Sequence, residues 1–244
     1  MDNKTDFAII AAGEGSRLAK SGYPYPKPLA RIHGETLVDR LMAIFLSCNA
    51  NSINVIINEE SAVLAEYLQS LNLEIPLRVI QQSTPSSLHS LDALLKGIPH
   101  VKELCLTTVD TIFRAEEFKH YLTYFRGHPD LDALMAVTPF VEDESPLFVD
   151  TDANGKITSF SDELGSGQQV LVSGGIYALR SSALSAVDLA IRQKIQRMRN
   201  YQRLLLQEQL NVEAFIFEKI IDIDHLSDLH TAEEWLSEVI YPNK

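Results

Sequence analysis

The sequence predicts an α/β fold: a three-layer α/β/α sandwich, Rossmann-like in outline, around a mostly parallel mixed sheet, with a small β-hairpin lobe over the cleft. Three observations carry this. Short apolar runs of strand length alternate with segments of helical periodicity, as parallel crossover units require. The first run, Phe7 to Ala12, breaks into a glycine turn at Gly13-Glu14-Gly15. The alternation then lapses near residue 140 into two short polar-apolar strands flanking Asp152-Ala153-Asn154-Gly155, a hairpin turn sequence.

Taken in order, Phe7 to Ala12 has the composition of a strand buried on both faces. Leu37, Leu41, Ile44 and Phe45 recur at helical spacing and predict a helix over 36–48. Strands follow at 53–57 and 76–80, separated by a helix at 61–71. A helix at 88–96 stops at Gly97 and Pro99, and 104–109 is the fourth strand, ending on Asp110. A helix over 115–125 leads into the strand 133–137. Strands at 148–150 and 156–160 form the hairpin, and 161–169 reads as a loop. The run 170–179 is a strand holding Gly174 and Gly175, where a ligand can approach the backbone. Helices at 181–190 and 199–209, strands at 212–217 and 220–223 and a last helix over 226–239 complete the chain. One domain over 1–244 is expected, with about 140–180 as a lobe.

The 244 residues carry a net charge of −12, with 45% hydrophobic and 22% charged residues. That charge disfavours broad binding to nucleic acid or an anionic membrane. No stretch reaches the roughly 20 apolar residues that span a bilayer, and the residues before Phe7 do not read as a secretion signal. Cys48 and Cys105 lie in apolar elements and read as small buried hydrophobes, which points to a reduced, cytoplasmic setting.

The first turn carries the chemistry. Backbone N–H groups of a glycine turn converge on anions, and Arg17 and Lys27 add two cations, one a fork and one a point charge. A triphosphate cradle follows. It is neither of two common ones: Leu18 stands where the dinucleotide fingerprint needs its third glycine, and the Gly-Lys-Ser/Thr close of a P-loop is absent. Asp110 sits just beyond the carboxyl end of a predicted parallel strand, where open α/β sheets bind ligands; capping the next helix is its other reading. Asp222 and Asp224 alternate with isoleucines, so on a strand both carboxylates share one face.

Ala11-Ala12-Gly13-Glu14-Gly15-Ser16-Arg17-Leu18 with Pro26-Lys27-Pro28-Leu29, and Val109-Asp110-Thr111-Ile112-Phe113, resemble the signature of the nucleotidyltransferases that make nucleotide sugars. The resemblance implies a glycosyltransferase-A-like fold and transfer of NMP from an NTP to a phosphorylated acceptor, most simply a sugar 1-phosphate, with loss of pyrophosphate. It implies Mg²⁺ on Asp110 and on Asp222 or Asp224, two placements that subfamilies divide between them. It assigns Arg17, Lys27 and Asp110 to catalysis, and residues 11–17 to the nucleotide. It also puts Gln82 and Ser87 beside the base, although a polar loop capping a helix fits that stretch equally well. Gly174-Gly175-Ile176-Tyr177 resembles the family's acceptor strand, which places Gly175 and Tyr177 beside the acceptor together with Asp162 and Glu163. Where sugar-1-phosphate members carry a Glu-Lys pair that grips the acceptor phosphate, this chain has Asp162-Glu163-Leu164 and no lysine. Two alternatives follow from that: a cytidylyltransferase acting on choline phosphate or another aminoalkyl phosphate, and a non-catalytic nucleotide-binding regulator. The partners expected are an NTP and a small phosphorylated acceptor, without nucleic acid or membrane; a homo-oligomer is compatible.

Overall fold

The computed structural model describes residues 4–13, 15–98, 100–141, 144–164 and 170–238. Glu14, assigned above to the nucleotide, lies outside them, as does most of the loop expected after the hairpin.

In chain order the elements are β1 (Thr5–Ala11), α1 (Ser16–Lys20), a 3-10 turn (Lys27–Leu29), β2 (Arg31–Ile32), β3 (Glu35–Thr36) and α2 (Leu37–Ser47). Next come β4 (Ala50–Ile57), α3 (Ala62–Ser70), β5 (Leu77–Gln81), α4 (Ser87–Gly97), β6 (Glu103–Thr108), β7 (Thr111–Ile112) and α5 (Ala115–Gly127). The second half holds β8 (Ala133–Thr138), β9 (Phe148–Thr151), β10 (Ile157–Ser161), β11 (Val172–Arg180), α6 (Ser181–Arg192), α7 (Met198–Gln207), β12 (Val212–Ile216), β13 (Ile221–Asp222) and α8 (Leu226–Ser237). Every strand and helix expected from periodicity is present within about two residues at each end, except that β4 begins three residues before the expected 53. The short pieces α1, β2, β3 and β7 are additions, because two- to five-residue elements carry no period to read.

Strands β5, β4, β1 and β6 lie side by side and run parallel. β11 then enters antiparallel to β6 and to β8, and β12 runs parallel to β8. The β9–β10 hairpin joins the start of β11 through the Val172–Phe148 pair. The sheet is therefore mixed and mostly parallel, with helices on both faces.

β1 shows how it is covered. Phe7, Ile9 and Ala11 face a core shared with α2, α3 and α5, where Phe7 stacks on Phe45 at 4.3 Å. Ala8 and Ile10 face the opposite core, packed by α4, α6 and α7. Alternate residues of one strand thus feed two layers, and neither face needs polar cover.

A third, smaller core positions the site. Leu18, Ile32, Ile112, Ile221, Ile223 and Trp235 pack together, joining the first loop, the segment after β6 and the tail. β13 pairs antiparallel with β7, and Ile223 N–H donates to the Asp110 carbonyl at 3.0 Å.

Candidate active site

The site begins at the end of β1. Gly15 has φ 59°, and a Cβ there would stand 3.0 Å from Lys27 Cβ, so the turn needs glycine to let Lys27 cross it. Gly13 does not take a positive φ; open space surrounds the point where its Cβ would be. Ser16 starts α1, which turns Arg17 toward the tail.

Lys27, held on its 3-10 turn, reaches back across the strand ends. Its ammonium donates to Asp110 Oδ2 at 2.5 Å and to Asp224 Oδ1 at 2.9 Å. Arg17 Nη1 donates to the other Asp224 oxygen at 2.5 Å. The Lys27 side chain is only 10% exposed. That burial pulls its pKa down, but the Asp110 and Asp224 carboxylates outweigh it, and the net shift is upward. Burial raises the Asp224 carboxyl in turn; Lys27 and Arg17 more than reverse this and hold it below its ordinary value. Two cations and two carboxylates from three distant parts of the chain thus form one ion-paired cluster.

Asp110 and Asp224 are freed from capping duty. α5 begins after Arg114, and α8 is capped by His225, where the Asp228 carboxylate accepts the N–H groups of Asp224 and His225 at 2.8 and 2.6 Å. Asp222 accepts from Thr111 Oγ1 at 3.3 Å, and Thr111 shares a 2.6 Å hydrogen bond with Thr108. Ile221 and Ile223 are buried, so the alternation read from sequence holds.

Two larger clefts flank this cluster, beside a smaller cavity of about 140 Å³ lined by Arg17, Asp222 and Asp224. The first, about 400 Å³, is bounded by Ala11, Ala12, Gly13, Gly15, Lys27 and Asp110 on one side and by Thr84 to Ser87 and Ser90 on the other. Ser87 lies in its wall. Gln82 is exposed and does not line it; only its backbone N–H is fixed, donating to Ile57 O at 2.8 Å. Ser86 holds the position before α4, yet its hydroxyl meets His89 Nδ1 at 3.0 Å rather than the helix backbone.

The second cleft, about 350 Å³, shares Ser87, Thr108 and Asp110 with the first, is lined also by Asp222 and Asp224, and extends past Gly175 and Tyr177. Gly175 has φ 73°, and a Cβ would come within 3.0 Å of Thr111 Oγ1 and 3.2 Å of Thr108 Oγ1, so glycine here lets β11 lie against the acidic loop. Burial pushes the Tyr177 phenol up to about 12, against a hydrogen bond with Ser173. Asp162 is turned to α7: its carboxylate oxygens accept from Arg199 at 2.5 Å and Arg203 at 2.7 Å. Glu163 is exposed and does not line the cleft.

Sequence reasoning missed the far wall of this second cleft, which holds Arg197, Arg199 and Gln202. Arg199 and Arg203 stand one helical turn apart, a spacing that marks one face of α7 and is legible in the sequence.

The donor set suits a hard cation that arrives with phosphate. Mg²⁺ takes one or two protein carboxylates and fills its shell with water and substrate oxygens. Asp110 and Asp224 converge on one ammonium, and no group of three or more His, Cys, Asp or Glu side chains is placed to hold a metal ion by itself among the described residues. No described helix is long and apolar enough to cross a membrane.

Known structures share the architecture. The inositol-1-phosphate CTP transferase of T. maritima superposes with a TM-score of 0.78 at 14% identity, covering 97% of each chain. A putative glucose-1-phosphate thymidylyltransferase from Bacillus anthracis, in complex with a sucrose, gives 0.79 at 16% identity over 98% of each. CMP:2-keto-3-deoxy-manno-octonic acid synthetase complexed with CTP gives 0.74 at 17%, over 96% of this chain and 98% of that one. No curated protein matches the sequence significantly. The sequence pattern of the MobA-like NTP transferase domain does match, over residues 7–181, which include the glycine turn, Lys27, Asp110 and β11. The chain belongs to that family and is a nucleotidyltransferase.

Proposed function

We propose that the protein transfers NMP from an NTP to a phosphorylated acceptor, with Mg²⁺ bound between Asp110 and Asp224. The observation that carries this is the Lys27 ammonium, shared by those two carboxylates at the mouth of the glycine turn. The turn and Lys27 bind the triphosphate in the first cleft, and the acceptor enters the second, so both substrates meet over Asp110.

An acceptor phosphate oxygen attacks the α-phosphorus, and the bond from that phosphorus to the bridging oxygen of the β-phosphate breaks. The electron pair leaves on pyrophosphate. Both reactants are anions, so positioning and charge neutralisation supply most of the rate. Lys27 and Arg17 exchange their carboxylate partners for phosphate oxygens. Bound Mg²⁺ adds charge neutralisation at the reacting phosphates. No nucleophilic side chain is required. Of the two tail carboxylates, Asp224 is the better second ligand, because it converges with Asp110 on the Lys27 ammonium.

The test is pyrophosphate release across the four NTPs with a panel of phosphorylated acceptors and Mg²⁺. Turnover lost in Asp110→Ala supports transfer; absence of NTP binding with Mg²⁺ present removes it. NTP binding with no turnover across the panel would instead favour a regulatory role.

A further inference from the structure

The cation between Asp110 and Asp224 is a side chain of the protein itself. The Lys27 ammonium lies 2.5 Å from Asp110 Oδ2 and 2.9 Å from Asp224 Oδ1. Two carboxylates held this close repel each other unless a cation sits between them. Here the counter-charge is complete, since Lys27 and Arg17 balance Asp110 and Asp224. A magnesium ion takes its oxygen ligands at about 2.1 Å. The same two oxygens therefore cannot hold the ion and the ammonium together, and the two cations are alternatives.

The stem and the head of Lys27 are held differently. Its Cβ stands 3.0 Å from the point a Gly15 Cβ would take, so the stem is wedged against the glycine turn. The head swings on a flexible four-carbon chain. Lys27 already lines the first cleft beside Ala12, Gly13 and Gly15. Rotation about side-chain bonds alone carries the ammonium from the carboxylates into that cleft.

We propose that Lys27 is a built-in placeholder for the divalent ion. In the free protein its ammonium closes the metal position, and a triphosphate in the first cleft opens it by drawing the ammonium onto phosphate oxygens. This rests on the transfer reading above and adds to it the condition under which the metal position opens. An ion arriving first must evict a largely buried ammonium and leave it without a carboxylate partner. Once phosphate oxygens take that ammonium, Asp110 and Asp224 are left facing each other without the cation that joined them. Metal and triphosphate thus bind with positive coupling, and by linkage each raises the other's affinity by the same factor.

The experiment titrates Mn²⁺ into full-length protein without nucleotide and reads it by electron paramagnetic resonance. Lys27→Met is expected to bind Mn²⁺ at least tenfold more tightly than the parent, and Lys27→Gln to behave alike. Adding Asp110→Asn to Lys27→Met should cancel the gain, which ties the ion to this position. Thermal unfolding gives a second readout: Mn²⁺ should raise the midpoint of Lys27→Met and leave that of the parent unchanged. Equal Mn²⁺ affinity in the parent and both folded Lys27 variants overturns the placeholder, as does a gain that survives Asp110→Asn. Micromolar Mn²⁺ binding by the nucleotide-free parent overturns it without recourse to any variant. Calorimetry of the four NTPs against the parent with Mg²⁺ separates the two readings. Absence of binding removes nucleotide transfer itself, whereas binding alongside a metal affinity indifferent to Lys27 removes only the placeholder.

Discussion

The backbone N–H of Ile223 donates to the carbonyl of Asp110 at 3.0 Å, tying residues more than a hundred positions apart at the point where their neighbours' carboxylates converge. That one hydrogen bond, with the β7–β13 pair beside it, registers Asp224 against Asp110. The Ile221 and Ile223 side chains lock it from beneath, in the same core as Leu18 of the first loop. The convergence of the two carboxylates therefore depends on apolar packing one residue away.

Replacing Lys27 with Met removes the cation shared by Asp110 and Asp224. Losing one preorganised charge from such a site costs about 10²–10³ in kcat. We expect that loss in steady-state pyrophosphate release, with the far-ultraviolet circular dichroism unchanged.

Asp224→Asn and Asp222→Asn separate the two tail carboxylates. Asp224→Asn should cost about 10² in kcat/KM and raise the Mg²⁺ needed for half-maximal rate. Asp222→Asn keeps an acceptor for Thr111 and should cost less than about tenfold. A larger loss in Asp222→Asn would transfer the ligand role to it.

The ion-paired cluster has a defined pH window. Lys27 is raised above its ordinary value of 10.5, so the stability it contributes is complete below that pH and is lost as pH rises through the higher folded value. Asp224 is lowered from 3.8, so its contribution is complete above that pH and is lost as pH falls through the lower folded value. Between these limits the pair adds no slope. Urea denaturation of Asp224→Asn against the parent should give a difference that is flat from pH 5 to pH 9 and shrinks in acid, with both pH values taken as approximate bounds about one unit inside the ordinary ones.

Gly175→Ala places a methyl group 3.0 Å from Thr111 Oγ1 at φ 73°. The left-handed backbone alone costs about 1–2 kcal/mol, and the crowding adds to it. Chemical denaturation should show at least that loss. Because Thr111 hydrogen-bonds Asp222, turnover should fall by more than the lost stability explains.

Much of this was legible in residue order. Alternating apolar runs and helical stripes gave the layers, because burial on two sheet faces leaves a period in the chain. The glycine turn, Lys27 and Asp110 were legible because a turn, a cation and a strand end are local features. The opposite wall of the first cleft was not: Gln82 and the serines after it are polar loop residues, and only packing decided that Thr84 to Ser87 and Ser90 line it. Asp162 was read as facing the acceptor because its partners, Arg199 and Arg203, lie some forty residues away in another helix.

The sequence by itself determined the layered α/β architecture, the glycine turn and the list of carboxylates, since each follows from local periodicity, backbone freedom or side-chain type. Tertiary structure alone decided which carboxylates meet Lys27 and which cations meet Asp162. Those pairings are set by the β7–β13 register and by the docking of α7 on the hairpin, and contacts between distant segments leave no period in the chain for a reader to find.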